Sequence, residues 1–253
     1  MNHLARRLAA SLLVLAALLG LWWLASHLQW ISKVFLPTPE ATIGALAEGL
    51  AEGDLLAQFG QTVLRMLEGW LLACVAGVVI GAGIGVSPVM RSWLEPTLDF
   101  IRPLPASAVM PLAISMFGLS PNMVLAVVAF GALWPVLLAT VHGFAAVEPR
   151  LVEVARCLGL GRAQFIAKIG LPNALPDIVA GMRLSLTVAL IVAVVGEMIA
   201  SQQGLGEAIL LAARSFRSRD LFAGIVLLGA VGFASNAALA LGERRLLRWQ
   251  TAG

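Results

Sequence analysis

EVARCLGLGRAQFIAKIGLP, residues 153–172, is the most charged stretch between two long apolar blocks, yet it patterns as a folded helical pair and not as a solvated linker. Pro149 suits the first turn of a helix, and Leu151, Val154, Ala155 and Leu158 follow at i, i+3, i+4 and i+7. Gly159 stops that helix, as a residue in the left-handed conformation does, and Gly161 loosens the turn. A second short helix presents Phe165, Ile166 and Ile169 on one face. It is predicted to end at Leu171-Pro172, because the residue before a proline is pushed out of helical geometry. Two apolar faces on such a knuckle need a surface to pack against, either their own bundle or another protein.

The surrounding chain belongs in lipid. Of its 253 residues 60% are hydrophobic and 12% charged, and the mean hydropathy is +0.92. A soluble domain carries roughly a quarter charged residues. The net charge of +3 therefore carries no argument for nucleic acid, since basic residues of membrane proteins sort to cytoplasmic loops. Cys74 lies in an apolar run and Cys157 in the knuckle, so neither a disulfide nor a metal site is suggested. The seven Trp sit mostly near the ends of apolar runs, as interfacial anchors do.

Working outward, the apolar runs give six spans. Leu8 to Ala25 is read as a retained first helix: the uncharged run that holds it, Leu8 to Ser32, exceeds the roughly 20 residues that cross hydrocarbon, and a signal peptide is shorter. Span 2 covers Gln61 to Val86. Pro103 to Val147 holds no formal charge over 45 residues, and GLSPN at 118–122 divides it into spans 3 and 4. Ile178 to Ala200 and Leu221 to Gly242 complete the set. Six spans put both termini on one side. The positive-inside rule makes that side cytoplasmic, with Arg6, Arg7, Arg91, Arg102, Arg150, Arg156, Arg162, Lys168, Arg244, Arg245 and Arg248 inside. Lys33, Arg214, Arg217 and Arg219 lie outside, and Arg65 and Arg183 fall at span edges.

LPTPEATIGALAEGL, from residue 36, offers Thr38 as an N-cap and Pro39 at the first helical position. Ile43, Leu46, Ala47 and Leu50 then share a face suited to the outer leaflet or to an external partner. The chain thus divides into 1–58, a span plus an outer amphipathic helix; 59–243, a core of five spans with a cytoplasmic loop at 148–177; and 244–253, a cytoplasmic tail.

Glu153, Ala155, Gly159, Ile169, Leu171 and Pro172 fit the pattern E-A-A, three residues, G, nine residues, I-x-L-P, with Val154 in place of the first alanine. That pattern resembles the cytoplasmic loop of permease subunits of binding-protein-dependent ABC importers. The likeness extends through RPLPASAVMPLAISMFGLS (102–120), ALPDIVAGMRLSL (174–186), GEM (196–198) and GLGEAI (204–209). It is nearest to the branch that imports sulfonates, taurine and nitrate-like oxyanions. The resemblance implies an all-α, multi-pass protein of the bacterial inner membrane with the six-helix, MetI-like type I permease fold and cytoplasmic termini. It also implies a second permease subunit, identical or a close paralogue, two ATPase subunits gripping the two knuckles, and a soluble substrate-binding protein on the outer face. Glu153 would then supply a carboxylate for a charge-assisted hydrogen bond, and Gly159 would let the chain turn inside the ATPase groove.

No GxxxxGK[ST] phosphate loop occurs in the chain, so no catalytic residue and no cofactor is assigned, ATP being bound by the partner. A short, stiff helix pair transmits rigid-body motion. Moving a two-state permease from 1:99 to 99:1 takes roughly 5.5 kcal/mol of differential stabilisation, which two docked ATPases can deliver.

Spans 2 to 6 should form the path. Pro103, Pro105 and Pro111 break span 3, which is tolerated where backbone lines a cavity or is buried in protein. Along it, Ser107, Met110 and Ser115 are candidates for the path or its gate, with Met110 better suited to ordinary packing. Glu197 is the acid embedded near the outer end of span 5, and such a charge is a functional hypothesis by default. The alternative is an ion pair with Arg65 or with an arginine of 214–219. Gly77, Gly81, Gly83 and Gly85 give span 2 a small-residue face for close packing. Two rival functions are an ion-coupled secondary transporter with Glu197 as coupling acid, and an intramembrane serine enzyme. The obvious Ser–His pair for the latter, Ser120 and His142, lies about 30 Å apart along a helix, which excludes that pair.

Overall fold

The computed structural model describes residues 2–247, without the side chains of 2–5, 7 and 8. Arg7 and Arg248, both counted above on the cytoplasmic side, lie outside the described side chains. Among the described residues there is helix and no strand. Eleven α-helices follow in order. They are α1 (Asn2–His27), α2 (Pro39–Ala51), α3 (Leu55–Gly85), α4 (Pro88–Ile101), α5 (Ala106–Phe117), α6 (Pro121–Ala145), α7 (Pro149–Cys157), α8 (Arg162–Phe165), α9 (Leu171–Ala200), α10 (Leu205–Arg214) and α11 (Ser218–Leu246). Five stretches are long and apolar enough to cross a membrane, in α1, α3, α6, α8–α9 and α11.

The core is a packing of α3, α6 and α9, and glycine decides how they meet. A Cβ on Gly69 would lie 2.4 Å from Val128, on Gly77 2.9 Å from Val136, on Gly81 2.7 Å from Thr140, and on Gly85 2.7 Å from Phe144. Both members of these contacts rise together, so α3 and α6 run parallel. With Ala73 buried between them, residues 69, 73, 77, 81 and 85 form one ridge at four-residue spacing, and 128, 132, 136, 140 and 144 form the opposing ridge. Gly83, expected on this face, has only open space within 4 Å of where a methyl group would sit. It lies two residues round the helix, about 200° away at 3.6 residues per turn. Gly69 takes its place. On the other side of α6, Gly143 meets Ala174, Gly181 meets Ala139 and Gly196 meets Val124. These numbers run in opposite senses, so α9 is antiparallel to α6.

Parallel α3 and α6 require residues 86–120 to carry the chain back from one end of the bundle to the other. They do so as α4 and α5, bent by 89°. At 1.5 Å per residue α5 alone reaches only about 18 Å, short of a bilayer core of about 30 Å. The third pass is therefore a bent pair that begins at Pro88, not a single span beginning at Pro103. The helical turn at 88–101 is set by Ser87, whose hydroxyl accepts from Met90 N at 3.3 Å, and by Pro88 beside it. Arg91, Glu95 and Asp99 along α4 mask it among the uncharged runs.

Leu171-Pro172 does not end the second knuckle helix. Residues Ile166–Gly170 form a π-helical turn, and Leu171 N donates to Ile166 O, so the helix continues through the proline. The wide turn accommodates a residue that cannot donate. The fifth pass thus starts at Arg162, not Ile178, as a run of 39 residues to Ala200. Arg183 consequently lies within α9, where it pairs with Glu243 of α11.

Most buried polar side chains of the bundle find partners, as lipid demands, Trp134 Nε1 and Arg183 Nε being exceptions among the described residues. Ser185 Oγ donates to Ala132 O at 2.6 Å, Trp70 Nε1 to Met182 O at 3.0 Å, and Asn173 Nδ2 to Gly143 O at 3.1 Å. The helix α2 starts at the expected cap, Thr38, and turns Thr42 and Ala45 inward while Ile43 and Leu50 face out. Glu40 in its first turn accepts from Trp23 Nε1 at 2.9 Å. Backbone hydrogen bonding there holds its carboxyl below the usual carboxylate range.

Candidate functional site

At the end where α6 stops and α9 begins, α7 and α8 form the knuckle. Its turn is a Schellman motif: Gly159 N donates to Arg156 O at 3.0 Å and Leu160 N to Ala155 O at 3.0 Å, with Gly159 at φ +63°. A side chain there would be strained. The single buried side chain of α7 is Ala155. Leu151, Val154 and Leu158 are 41%, 50% and 70% exposed, so this helix leans on its own bundle through one methyl and leaves its larger apolar residues bare. Glu153 is exposed and makes no ion pair among the described residues. The second face differs. Ile166 packs beside Phe144, Ala174 and Ile178, and Phe165 and Ile169 are half-buried. Leu171 and Pro172 are exposed on the first turn of α9.

The opposite end is closed by a polar clasp. Glu197, 0% exposed, receives Arg65 Nη1 on Oε1 at 2.8 Å, and on Oε2 both Thr62 Oγ1 at 2.9 Å and Gly206 N at 3.0 Å. Arg65 also donates to Gln203 O at 2.6 Å, and Leu205 N donates to Thr62 Oγ1 at 2.8 Å. Helices α3 and α9 together thus cap the first turn of α10, whose positive end also favours the carboxylate. Gly204 and Gly206 are required for this approach: a Cβ on Gly204 would lie 2.3 Å from the Glu197 carboxyl, and on Gly206 2.3 Å from Val194 O. Of the partners considered for Glu197, Arg65 is the one in place; Arg217 and Arg219 pair instead with Asp220 and Glu48. GLGEAI, at 204–209, is the start of α10.

The remaining path candidates do not converge. Ser107 and Ser115 share an exposed face of α5, and the Ser115 hydroxyl is taken up by Leu112 O at 2.8 Å. Met110 turns away into the core shared with Met66 and Met123. The larger opening on this side, of about 650 Å³, lies between α5, α6 and α9. Arg102, Trp134, His142 and Asp177 line it, and the Trp134 Nε1 donor is buried without a partner. Nothing in the sequence sets Trp134 apart from the other interfacial tryptophans. Thr62 likewise carries no signal beyond lying at the start of a span.

Residues 73–248 match the family described as "binding-protein-dependent transport system inner membrane component". The chain belongs to this family. Two curated relatives place the permease more closely. It is 35% identical over 239 residues to a putative aliphatic sulfonates transport permease of Bacillus subtilis, covering 94% of this chain and 87% of that one. It is 30% identical over 251 residues to the taurine transport system permease of Escherichia coli, covering 97% and 91%. The permease also superimposes on a chain of the inward-facing MetNI methionine ABC transporter with TM-score 0.64 at 18% identity, over 76% of this chain and 95% of that one. The MetI-like fold expected from the knuckle is therefore present. The permease is an inner-membrane, multi-pass subunit of an ABC importer and not itself an enzyme, and the family implies ATPase and binding-protein partners.

Proposed function

We propose that this permease conducts a small sulfonate-, taurine- or nitrate-like anion inward as one of two identical copies, driven by two ATPase subunits seated on its knuckles. The knuckle then lies in the cytoplasm, together with both termini, and the clasp lies at the outer face toward the binding protein. The observation that carries this reading is the bare side of α7. Leu151, Val154 and Leu158 spend apolar surface on water unless a partner covers them, and Glu153 stands beside them with its carboxylate uncommitted. The sulfonate and taurine relatives support the class of cargo. The path follows the opening between α5, α6 and α9, closed by the second copy, with Trp134 Nε1 offering its free donor to a passing oxyanion. Glu197 has both oxygens engaged and acts on the gate without touching cargo. Its conversion to Gln should lower transport while leaving the ranking of competing anions unchanged in an uptake competition assay; a changed ranking overturns that role.

The coupling reading is tested by co-purification. Glu153→Lys should insert in the membrane at wild-type levels and lose its ATPase subunits. Retention of active ATPase by that variant overturns the assignment.

A further inference from the structure

Between the knuckle and the end of the bundle lies a cavity of about 380 Å³. Of the α7 side chains that face it, Ala155 is buried, Val152 half-buried and Arg156 exposed. Its walls are apolar, with Phe144, Val152 and Phe165 among them, and three arginines reach it from three different elements: Arg91 on α4, Arg156 on α7 and Arg162 on α8. No carboxylate lines the cavity. Among the described residues none of the three guanidinium groups is within ion-pair distance of an acid. Glu95, one turn beyond Arg91, lines only the neighbouring opening, whereas Arg91 stands between the two and lines both. Three like charges around one apolar-walled hollow repel each other unless an anion joins them, and guanidinium forks match phosphate oxygens in geometry as well as charge.

We propose that this cavity holds the headgroup of an acidic phospholipid, which braces the knuckle against the bundle. A phosphate diester engages Arg91, Arg156 and Arg162, and the glycerol backbone lies against the apolar wall. Two features select a lipid over a free anion. Gly85 and Val86, where α3 ends, line the cavity. The turns of α3 immediately before it expose Val75, Val79 and Ile80, a bed along which an acyl chain can lie. The bare Leu151–Leu158 side of α7 stays free for the ATPase, because the cavity is on the Ala155 side. Basic pockets at the cytoplasmic ends of membrane helices collect anionic lipids in this manner. The proposal rests on the knuckle being cytoplasmic, where the leaflet is anionic; the test below reads binding directly and does not depend on sidedness or on transport.

The full-length chain, purified and stripped of lipid in mild detergent, is offered phosphatidylglycerol or phosphatidylcholine in mixed micelles, and native mass spectrometry counts the lipid retained. One phosphatidylglycerol per chain should be retained at concentrations about tenfold below those needed for phosphatidylcholine, whose phosphate diester is the same but whose choline adds a cation beside the three arginines. Arg91→Gln/Arg156→Gln should abolish that preference. Val152→Trp, which fills the cavity without removing charge, should lower retention as well. Arg244→Gln/Arg245→Gln, which removes exposed charge outside the cavity, should leave it intact. Thermal midpoints of all variants confirm that each is folded. Equal retention of the two lipids overturns the proposal, as does equal loss in the Arg244/Arg245 variant. Displacement of phosphatidylglycerol by millimolar inorganic phosphate assigns the cavity to a free anion and overturns the lipid.

Discussion

Where α9 ends, the permease turns its most polar residues on one another; where α9 begins, it leaves its most apolar ones uncovered. In the clasp, Arg65, Thr62 and Gly206 occupy both oxygens of Glu197, and two glycines let the backbone come within reach. In the knuckle, α7 commits one alanine to the bundle and holds Leu151, Val154 and Leu158 away from it. A buried charge cluster has no tolerance for loss of a member, because each desolvated group depends on the others. An exposed apolar side has no stake in the stability of its own chain. The difference separates what holds this subunit together from what it offers to others.

The sharpest way to break the comparison is to leave Glu197 without its partner. Arg65→Met should cost about 3–5 kcal/mol of stability, the usual penalty for half of a buried ion pair, read as a fall in the thermal midpoint in detergent. Arg65→Met/Glu197→Gln should cost less than Arg65→Met alone, since no uncompensated charge remains. If the single variant unfolds within about 0.5 kcal/mol of wild type, the clasp is not structural. Next in size is Gly81→Ala, whose methyl meets Thr140 Cβ at 2.7 Å and Leu137 O at 2.8 Å. Overpacking of that kind costs about 1–3 kcal/mol. At the knuckle, Val154→Ser/Leu158→Ser should stay within about 0.5 kcal/mol of wild-type stability while weakening ATPase retention in a pull-down at least as visibly as the clasp variants alter melting. The smallest effect belongs to Gly83→Ala, which has open space around it. It should stabilise slightly, by up to about 1 kcal/mol, through helix propensity. A loss comparable to that of Gly81→Ala would mean that the ridge has been drawn on the wrong face.

The legible features are those written in local pattern. The uncharged runs locate four of the passes closely, and the i, i+3, i+4, i+7 spacing with Gly159 locates α7 and its turn. The bent third pass escapes because Arg91, Glu95 and Asp99 interrupt the hydropathy of α4, while Ser87 and Pro88, which start it, look like any loop. The continuity of α9 escapes for a different reason. Proline stops a helix by rule, and only the wide turn at Ile166–Gly170 lets this one pass. Density of glycine groups Gly83 with its neighbours, whereas the ridge obeys four-residue spacing. The clasp is half visible: Glu197 and Arg65 stand out as charges in lipid, but Thr62 matters through an approach across 135 to 143 residues of sequence that no window can register, and Gly204 and Gly206 through the fold-back of α10 onto Glu197.

The unbroken run from Arg162 to Ala200 has a mechanical consequence. At 1.5 Å per residue it is a beam of about 58 Å, with the second half of the knuckle built into one end and Glu197 close to the other. A joint at Leu171-Pro172 would have let the knuckle swivel idly. Without that joint, tilt applied at Phe165 arrives as sideways displacement under the Arg65–Glu197 contact, so under the coupling proposed above a stroke of the ATPase would act as leverage on the far end. Doubly spin-labelled chains carrying one probe beside Phe165 and one beside Ile199 should therefore keep a constant separation through the nucleotide cycle, even as each probe moves against α3.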